Sequence, residues 1–106
     1  MPKLVVIPDK IPVLPNEREP EKLVPVPFAK WVEAVLDNYD DAGHGLENIR
    51  RSIRIVERAT QANGSLTLDG EDHKFLTKAM NGVRFNPRYA RMTLSYFEAV
   101  EAAKEV

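Results

Sequence analysis

The sequence contains no cysteine, and this absence excludes disulfide bonds, thiolate nucleophiles and sulfur-ligated zinc or iron. It also lacks any apolar run near the roughly 18 residues that a membrane-spanning helix requires. The apolar stretch at its start is too short and too interrupted by proline for a signal peptide, so we expect a cytoplasmic protein. The formal net charge of −1 provides no overall field toward nucleic acid or anionic lipid. We therefore expect no membrane partner, and any electrostatic partner must recognise a local patch.

Proline divides the 106 residues into two regions. Seven of the eight prolines lie within the first 27 residues, where each fixes its own φ and pushes the preceding residue toward extended geometry. Beyond residue 27 the apolar residues recur with helical spacing. We predict an extended, proline-rich arm over residues 1–27 and a helical domain over residues 28–106.

The arm is rich in branched aliphatic residues, which are costly to leave in water at about 25 cal/mol per Å² of apolar surface. Two interpretations are open: the arm packs along its own helices, or it reaches another subunit or protein. Under the second interpretation the arm supplies the partner contacts, and the candidates are Leu4, Val6, Ile7, Ile11, Val13, Leu14, Leu23 and Val24.

Four helices are predicted after the arm. The first begins after Pro27 and buries one broad face, made by Phe28, Trp31, Val32, Val35, Leu36 and Tyr39. The second spans residues 46–61, and its expected apolar face is Leu46, Ile49, Ile53 and Val56. The third follows the N-cap Asp69 and ends near Gly82, and the fourth runs from Asn86-Pro87 to about Ala103. Residues 65–68 form an extended connector. The predicted fold class is therefore all-α, a small four-helix domain with an extended N-terminal arm.

The fourth predicted helix is apolar around more than half of its circumference, which is wider than the single stripe of an ordinary surface helix. Two explanations are open: the helix is buried centrally, or it makes a second contact with a partner or another subunit. Met92 and Tyr96 are the candidate partner contacts on this helix.

The sequence offers little for catalysis. His44 lies near Asp40 and Asp41, but one glycine-bounded loop does not supply three converging metal ligands or a base with its orienting partner. We expect no enzyme, no metal and no cofactor. An enzyme working at His44 and Asp41 is retained as a minor hypothesis.

Arginine forms two groups in the sequence. Glu47 and Glu57 are spaced to pair with the first group, which favours a solvated, salt-bridged face. An acidic protein partner or nucleic acid is the alternative for both groups, which together comprise Arg50, Arg51, Arg54, Arg58, Arg84, Arg88 and Arg91.

Three short patterns occur in order along the second half of the chain. They are Gly45-Leu46-Glu47 with Arg50-Arg51, then Leu66-Thr67-Leu68 with Glu71-Asp72 and Leu76, then Asn86-Pro87 with Ala90 and Phe97. Over roughly residues 45–103 this order resembles small uncharacterised helical proteins of tailed-bacteriophage and prophage gene clusters. The resemblance implies a phage-encoded assembly or accessory protein, located in a bacterial host or virion, and it implies no functional residue.

The function expected from the sequence is therefore binding. We predict a non-enzymatic protein that docks on a protein partner, or on further copies of itself, through the arm and the last helix. The alternative is a small regulatory protein that binds nucleic acid through the arginines.

Overall fold

The computed structural model describes residues 1–16 and 18–106, and within them the chain forms a mixed α/β fold. The prediction of an all-α four-helix domain is wrong, because strands from three distant parts of the chain assemble into a sheet. In chain order the elements are β1 (Lys3–Val6), β2 (Val13–Pro15), β3 (Leu23–Pro25), α1 (Phe28–Asp37), a 3₁₀ turn (Asp40–Gly43), α2 (Leu46–Gln61), β4 (Ser65–Leu68), α3 (Gly70–Gly82), α4 (Pro87–Met92), α5 (Leu94–Glu101) and β5 (Lys104–Glu105).

The larger sheet is antiparallel with the order β4-β1-β5, so the first strand of the arm is its central strand. Val5 pairs with Leu66 and Lys3 with Leu68, and Val5, Leu66 and Leu68 are all buried. The backbone amide of Ile7 continues the ladder by donating to the Gly64 carbonyl at 2.9 Å. The residues that sequence analysis treated as a connector therefore form β4. Residues just beyond the predicted fourth helix form β5.

The α1 face predicted from the sequence is confirmed for Phe28, Trp31, Val32, Val35 and Leu36, which are all buried, whereas Tyr39 lies beyond the end of the helix and is half-buried. Trp31 is at the centre of an aromatic cluster, with ring centroids 5.5 Å from Phe28, 5.6 Å from Tyr96 and 5.0 Å from Phe97. This cluster packs the C-terminal part of the chain against α1.

The predicted fourth helix is two helices, α4 and α5, with Thr93 as the C-cap of one and the N-cap of the other. Thr93 is buried and its hydroxyl donates to the Tyr89 carbonyl at 2.9 Å. Tyr96 and Val100 are buried, so most of the wide apolar arc belongs to the core.

The apolar face predicted for α2 is wrong. The residues of α2 that enter the core are Ile55 and Ala59. Leu46, Ile49 and Ile53 are 62%, 39% and 54% exposed, and only Val56 packs against the core. The helix carries two apolar faces with helical spacing. The face with Ile55 and Ala59 is buried, whereas the face predicted from the sequence is largely exposed.

An ion pair holds α2 against α3. Asp72 is fully buried, and its carboxylate accepts two hydrogen bonds from Arg54, at 2.7 Å from Nε and 2.6 Å from Nη2. Arg51 Nε lies 3.3 Å from the same carboxylate. The pKa of Arg54 is raised, first by its hydrogen bond with Asp72 and then by the charge of Asp72. A buried carboxylate needs such partners, and these bonds connect α2 with α3.

Across the described residues, no helix combines the length and the apolar character that crossing a membrane would require.

Candidate protein-binding surfaces

The first part of the arm lies on the chain's own domain. Leu4 and Ile7 are half-buried beside the buried Val5, whereas Val6 is on the opposite face of β1 and is 65% exposed. The first interpretation of the arm, packing on its own domain, therefore describes residues 3–7.

The second part of the arm forms a hairpin in which β2 pairs with β3. Leu14 is half-buried, whereas Ile11, Val13, Leu23 and Val24 are all exposed. The hairpin region therefore presents most of the arm's exposed partner-contact candidates, and Val6 on β1 is a further exposed one.

Prolines protect the outer edges of this hairpin. Ladder hydrogen bonds join Val26 to Pro12 and Asn16 to Lys22, each at 2.8 Å. Because bonded positions alternate along an antiparallel pair, the intervening positions 13, 15, 23 and 25 direct their nitrogens outward. Pro15 and Pro25 occupy two of these positions and provide no donor to an added strand. The hairpin is thus better suited to contact through side chains than to extension of its sheet.

The two candidates on the last helix have different environments. Met92 is 45% exposed. Tyr96 is 1% exposed, and its hydroxyl donates to the Val26 carbonyl at 2.7 Å. Burial raises the pKa of Tyr96, with a smaller contribution from Tyr89. Tyr96 therefore joins the end of the arm to the core and is not at the surface.

The arginine candidates do not form one surface. Arg51 and Arg54 hold Asp72, Arg51 also lies 3.3 Å from Glu47, and Arg58 is 3.4 Å from the Thr67 carbonyl. The Glu47–Arg51 pairing expected from their spacing is confirmed, but Arg54 bonds with Asp72. The remaining candidates are exposed, and they are Arg50, Arg84, Arg88 and Arg91. Arg50 lines a shallow depression on α2, whereas Arg88 lines a separate groove between the hairpin and α4.

Helix α2 carries a row of exposed apolar residues. We define the outer stripe as Leu46, Ile49 and Ile53, which share a face because they are spaced at i, i+3 and i+7. The stripe extends over about 10 Å of helix at 1.5 Å per residue. Half-buried Val56 continues it toward the core.

An acidic groove runs beside the outer stripe, between α2, the end of α1 and the 3₁₀ turn. Its volume is about 580 Å³, and its apolar lining includes Leu36, Ala42, Ile53 and Val56. Four carboxylates line it, from Glu33, Asp37, Asp40 and Glu57, and its described lining includes no lysine, arginine or histidine. Ile53 belongs to both surfaces, so the acidic groove and the outer stripe are continuous.

Tyr39 bonds with Asp41, a carboxylate that is not part of the groove lining. Tyr39 itself lines the groove, and its hydroxyl donates to Asp41 Oδ2 at 3.2 Å. The pKa of Tyr39 is raised by burial first, and then by the hydrogen bond and the charge of Asp41. Both contributions of Asp41 come from a carboxylate at the same end of α1 as the groove.

Sequence reasoning missed the outer stripe as a surface because it assigned these residues to the core. The sequence does contain the relevant pattern, since Ile55 and Ala59 lie on the side of α2 opposite Leu46 and Ile53. A helix with apolar residues on both sides must leave one side uncovered unless it is central in the domain.

The loop considered for catalysis is an exposed turn. His44 is exposed and its backbone amide donates to the Asp41 carbonyl at 3.1 Å. His73 is half-buried, and its Nε2 donates to the Val100 carbonyl at 2.8 Å, which joins α3 to α5. Among the residues outside position 17, no three histidine, aspartate or glutamate side chains converge as a metal site would require.

Comparisons with protein-family models, with curated proteins and with solved structures found no match to this chain.

Proposed function

We propose that this chain is a non-catalytic protein that binds a partner protein, and that the outer stripe of α2 is its main docking surface. The observation that supports this proposal best is the exposure of Leu46, Ile49 and Ile53 on one helix face, at 62%, 39% and 54%. Isolated exposed aliphatic residues are ordinary on protein surfaces, but a contiguous row beside a groove is typical of an interaction site.

Burial of the stripe can supply part of the free energy of binding. Full burial of one large aliphatic side chain stabilises by about 1.5–3 kcal/mol, and these three are roughly half covered already. A partner that covers them therefore gains about 1 kcal/mol from each. Such a gain contributes to affinity without requiring the chain to change its fold.

Exposed residues outside α2 provide a second contact with the partner in this proposal. Val13 and Leu23 lie on one face of the hairpin, and exposed Met92 lies on α4. In this proposal the hairpin of the arm contacts the partner, while the buried Val5 packs within the domain itself. The phage assembly role implied by the sequence resemblance remains a prediction within this proposal.

The proposal is tested by comparing two triple variants. Leu46→Ser/Ile49→Ser/Ile53→Ser removes the outer stripe, and Val13→Ser/Leu23→Ser/Val24→Ser removes the same kind of side chain from the hairpin. A partner that co-purifies with the wild-type chain is purified separately, and its dissociation constant with each variant is measured by calorimetry.

We expect the stripe variant to bind at least tenfold more weakly, a loss of about 1.4 kcal/mol, and the hairpin variant to lose less. Retained affinity in a stripe variant that is folded by circular dichroism would contradict the proposal. Nucleic-acid binding would instead appear as affinity that falls steeply with salt and is insensitive to the stripe.

A further inference from the structure

We infer that the segment bound by the outer stripe is an amphipathic helix with lysine or arginine along one edge. This inference rests on the proposed function and names the chemistry of the partner. It combines three observations: the apolar residues of α2, the carboxylates beside them, and the lack of an available backbone edge on this face.

The helical form of the partner segment follows from the surface that receives it. The outer stripe is the side-chain surface of an α-helix whose backbone groups are bonded within the helix, so it provides no ladder for an extended peptide. An α-helix suits such a surface, because its backbone groups are bonded within the segment and its side chains are free to make the contacts. Rows at i, i+3 and i+7 on α2 match apolar residues at helical spacing on such a segment.

The charge of the partner's edge follows from the acidic groove. The carboxylates of Glu33 and Asp37 on α1, Asp40 on the 3₁₀ turn and Glu57 on α2 lie along one side of the stripe. Lys30 Nζ lies 3.8 Å from Glu33, but this side chain is 73% exposed and the contact is a surface pair. A cationic edge over the groove therefore meets several carboxylates, whereas Leu46 at the other end of the stripe is bordered by Arg50, Arg51 and Arg54.

Two of these carboxylates have local partners, since Asp40 is in the first turn of the 3₁₀ helix and Glu33 pairs with Lys30, but the position of Asp37 is not explained by helix stability. Glu33 and Asp37 lie in the C-terminal half of α1, and Asp37 is its last residue. The partial negative charge at the C-terminus of a helix disfavours carboxylates there, and the last turn of α1 contains no basic residue. The negative charge of Asp37 is therefore unfavourable for α1 itself, but it lies in the groove, where a cationic ligand would offset it.

Two synthetic peptides of about 18 residues, or five helical turns, provide the probe. Both carry leucine at i, i+3, i+4 and i+7, but one has lysine on its polar face and the other has glutamate. Binding of each labelled peptide to the full chain is measured by fluorescence anisotropy at low and at physiological salt.

Three variants accompany the wild type. The stripe variant is Leu46→Ser/Ile49→Ser/Ile53→Ser. The groove variant is Glu33→Gln/Asp37→Asn/Asp40→Asn/Glu57→Gln. The matched control, Asp9→Asn/Glu21→Gln/Glu98→Gln/Glu101→Gln, makes the same change in net charge at exposed positions outside the groove lining.

We expect the wild type to bind the lysine peptide at least tenfold more tightly than the glutamate peptide. The groove variant loses about tenfold in affinity for the lysine peptide, as several surface pairs of modest strength are removed together. The control variant loses less than threefold, and the stripe variant loses both peptides. If the groove variant is unfolded, the wild type alone tests the inference. Its preference for the lysine peptide over the glutamate peptide must then be smaller at physiological salt than at low salt.

Equal binding of both peptides, abolished in the stripe variant, would overturn this inference and leave the proposed function intact. Lysine-peptide binding that survives in the stripe variant would overturn the inference and count against the proposed function as well. A stripe-dependent dimer detected by light scattering would overturn the inference in favour of a second copy of the chain.

Discussion

Two hexapeptides of the arm have nearly the same sequence and opposite environments. Residues 3–8 read Lys-Leu-Val-Val-Ile-Pro, and residues 22–27 read Lys-Leu-Val-Pro-Val-Pro. Val5 of the first is fully buried, whereas Val24 at the matching position of the second is 42% exposed. Composition and local pattern therefore do not decide which aliphatic segment is sheltered.

The difference between the two hexapeptides arises from their neighbours and one proline. The first is β1, paired on both sides by β4 and β5 and packed against α5. The second contains β3, which pairs only with β2. Pro25 stands where the first hexapeptide has Val6, and its missing amide restricts this segment to an edge. Long-range strand partners thus determine the burial of otherwise equivalent residues.

The largest effect expected from this contrast is at Val5. Val5→Asp places a carboxylate in a fully buried position with no basic partner, and we expect a loss of about 4 kcal/mol or more in the free energy of unfolding. Against a typical total of about 5–15 kcal/mol, this is a large fraction of the free energy of unfolding. Urea denaturation followed by circular dichroism measures the change.

Val6→Asp is the matched control, because Val6 is the next residue of β1, faces the other way and is 65% exposed. We expect it to cost about 1 kcal/mol or less. Similar losses at positions 5 and 6 would contradict the assignment of β1 as a one-sided central strand.

The second prediction compares a buried and an exposed side of α2, namely the side bonded to Asp72 and the outer stripe. Asp72→Ala removes the buried acceptor of Arg54 and leaves the poorly exposed Arg51 without its counter-charge on α3. We expect a loss of about 2 kcal/mol, because charged hydrogen bonds to a buried acceptor are lost while the partly exposed Arg54 can be hydrated. Ile53→Ser, on the outer stripe of the same helix, should change the unfolding free energy by only about 1 kcal/mol. Equal losses would show that the stripe also packs within the domain.

The sequence predicts the local features of this fold well and the long-range ones poorly. The start of α1 after Pro27 and the N-caps Asp69 and Asn86 follow from neighbouring residues, and each cap accepts an amide hydrogen bond at 2.9 Å. The sheet depends on pairing among three short segments that are distant in the chain, and no one segment indicates its partners. Periodicity could not choose between the two apolar faces of α2, because the choice depends on how the helix packs against elements distant in the chain.

The third prediction concerns Tyr96, which bonds with Val26 near the end of the exposed hexapeptide 22–27. Its hydroxyl donates to the Val26 carbonyl at 2.7 Å, and Tyr96→Phe removes this bond while keeping the ring in its aromatic cluster. We expect a loss of about 1 kcal/mol in the free energy of unfolding at neutral pH, measured by urea denaturation. An unchanged stability would mean that this bond does not anchor the end of the hairpin.

The same residue predicts a dependence on pH. Burial raises the pKa of Tyr96 above its ordinary value of 10.0, so the folded state favours the protonated hydroxyl. This contribution is fully present below pH 10 and is lost as the pH rises through the raised pKa. The difference in stability between the wild type and Tyr96→Phe should therefore shrink above pH 10, whereas a growing difference would contradict burial of the ionisable hydroxyl.

The smallest effect is expected at the exposed counterpart of Leu4. Leu23 is 63% exposed, and Pro15, directly opposite on the same face of the hairpin, is half-buried. The backbone bonds at both ends of the hairpin do not involve the Leu23 side chain. Leu23→Ser should therefore change the free energy of unfolding by about 0.5 kcal/mol or less, as surface substitutions do.

Urea denaturation of Leu23→Ser and of Leu4→Ser compares matching positions of the two hexapeptides, and the half-buried Leu4 should show the larger loss in the free energy of unfolding. A loss above about 1 kcal/mol for Leu23→Ser would place its side chain against the domain and remove the hairpin from the partner-binding surface.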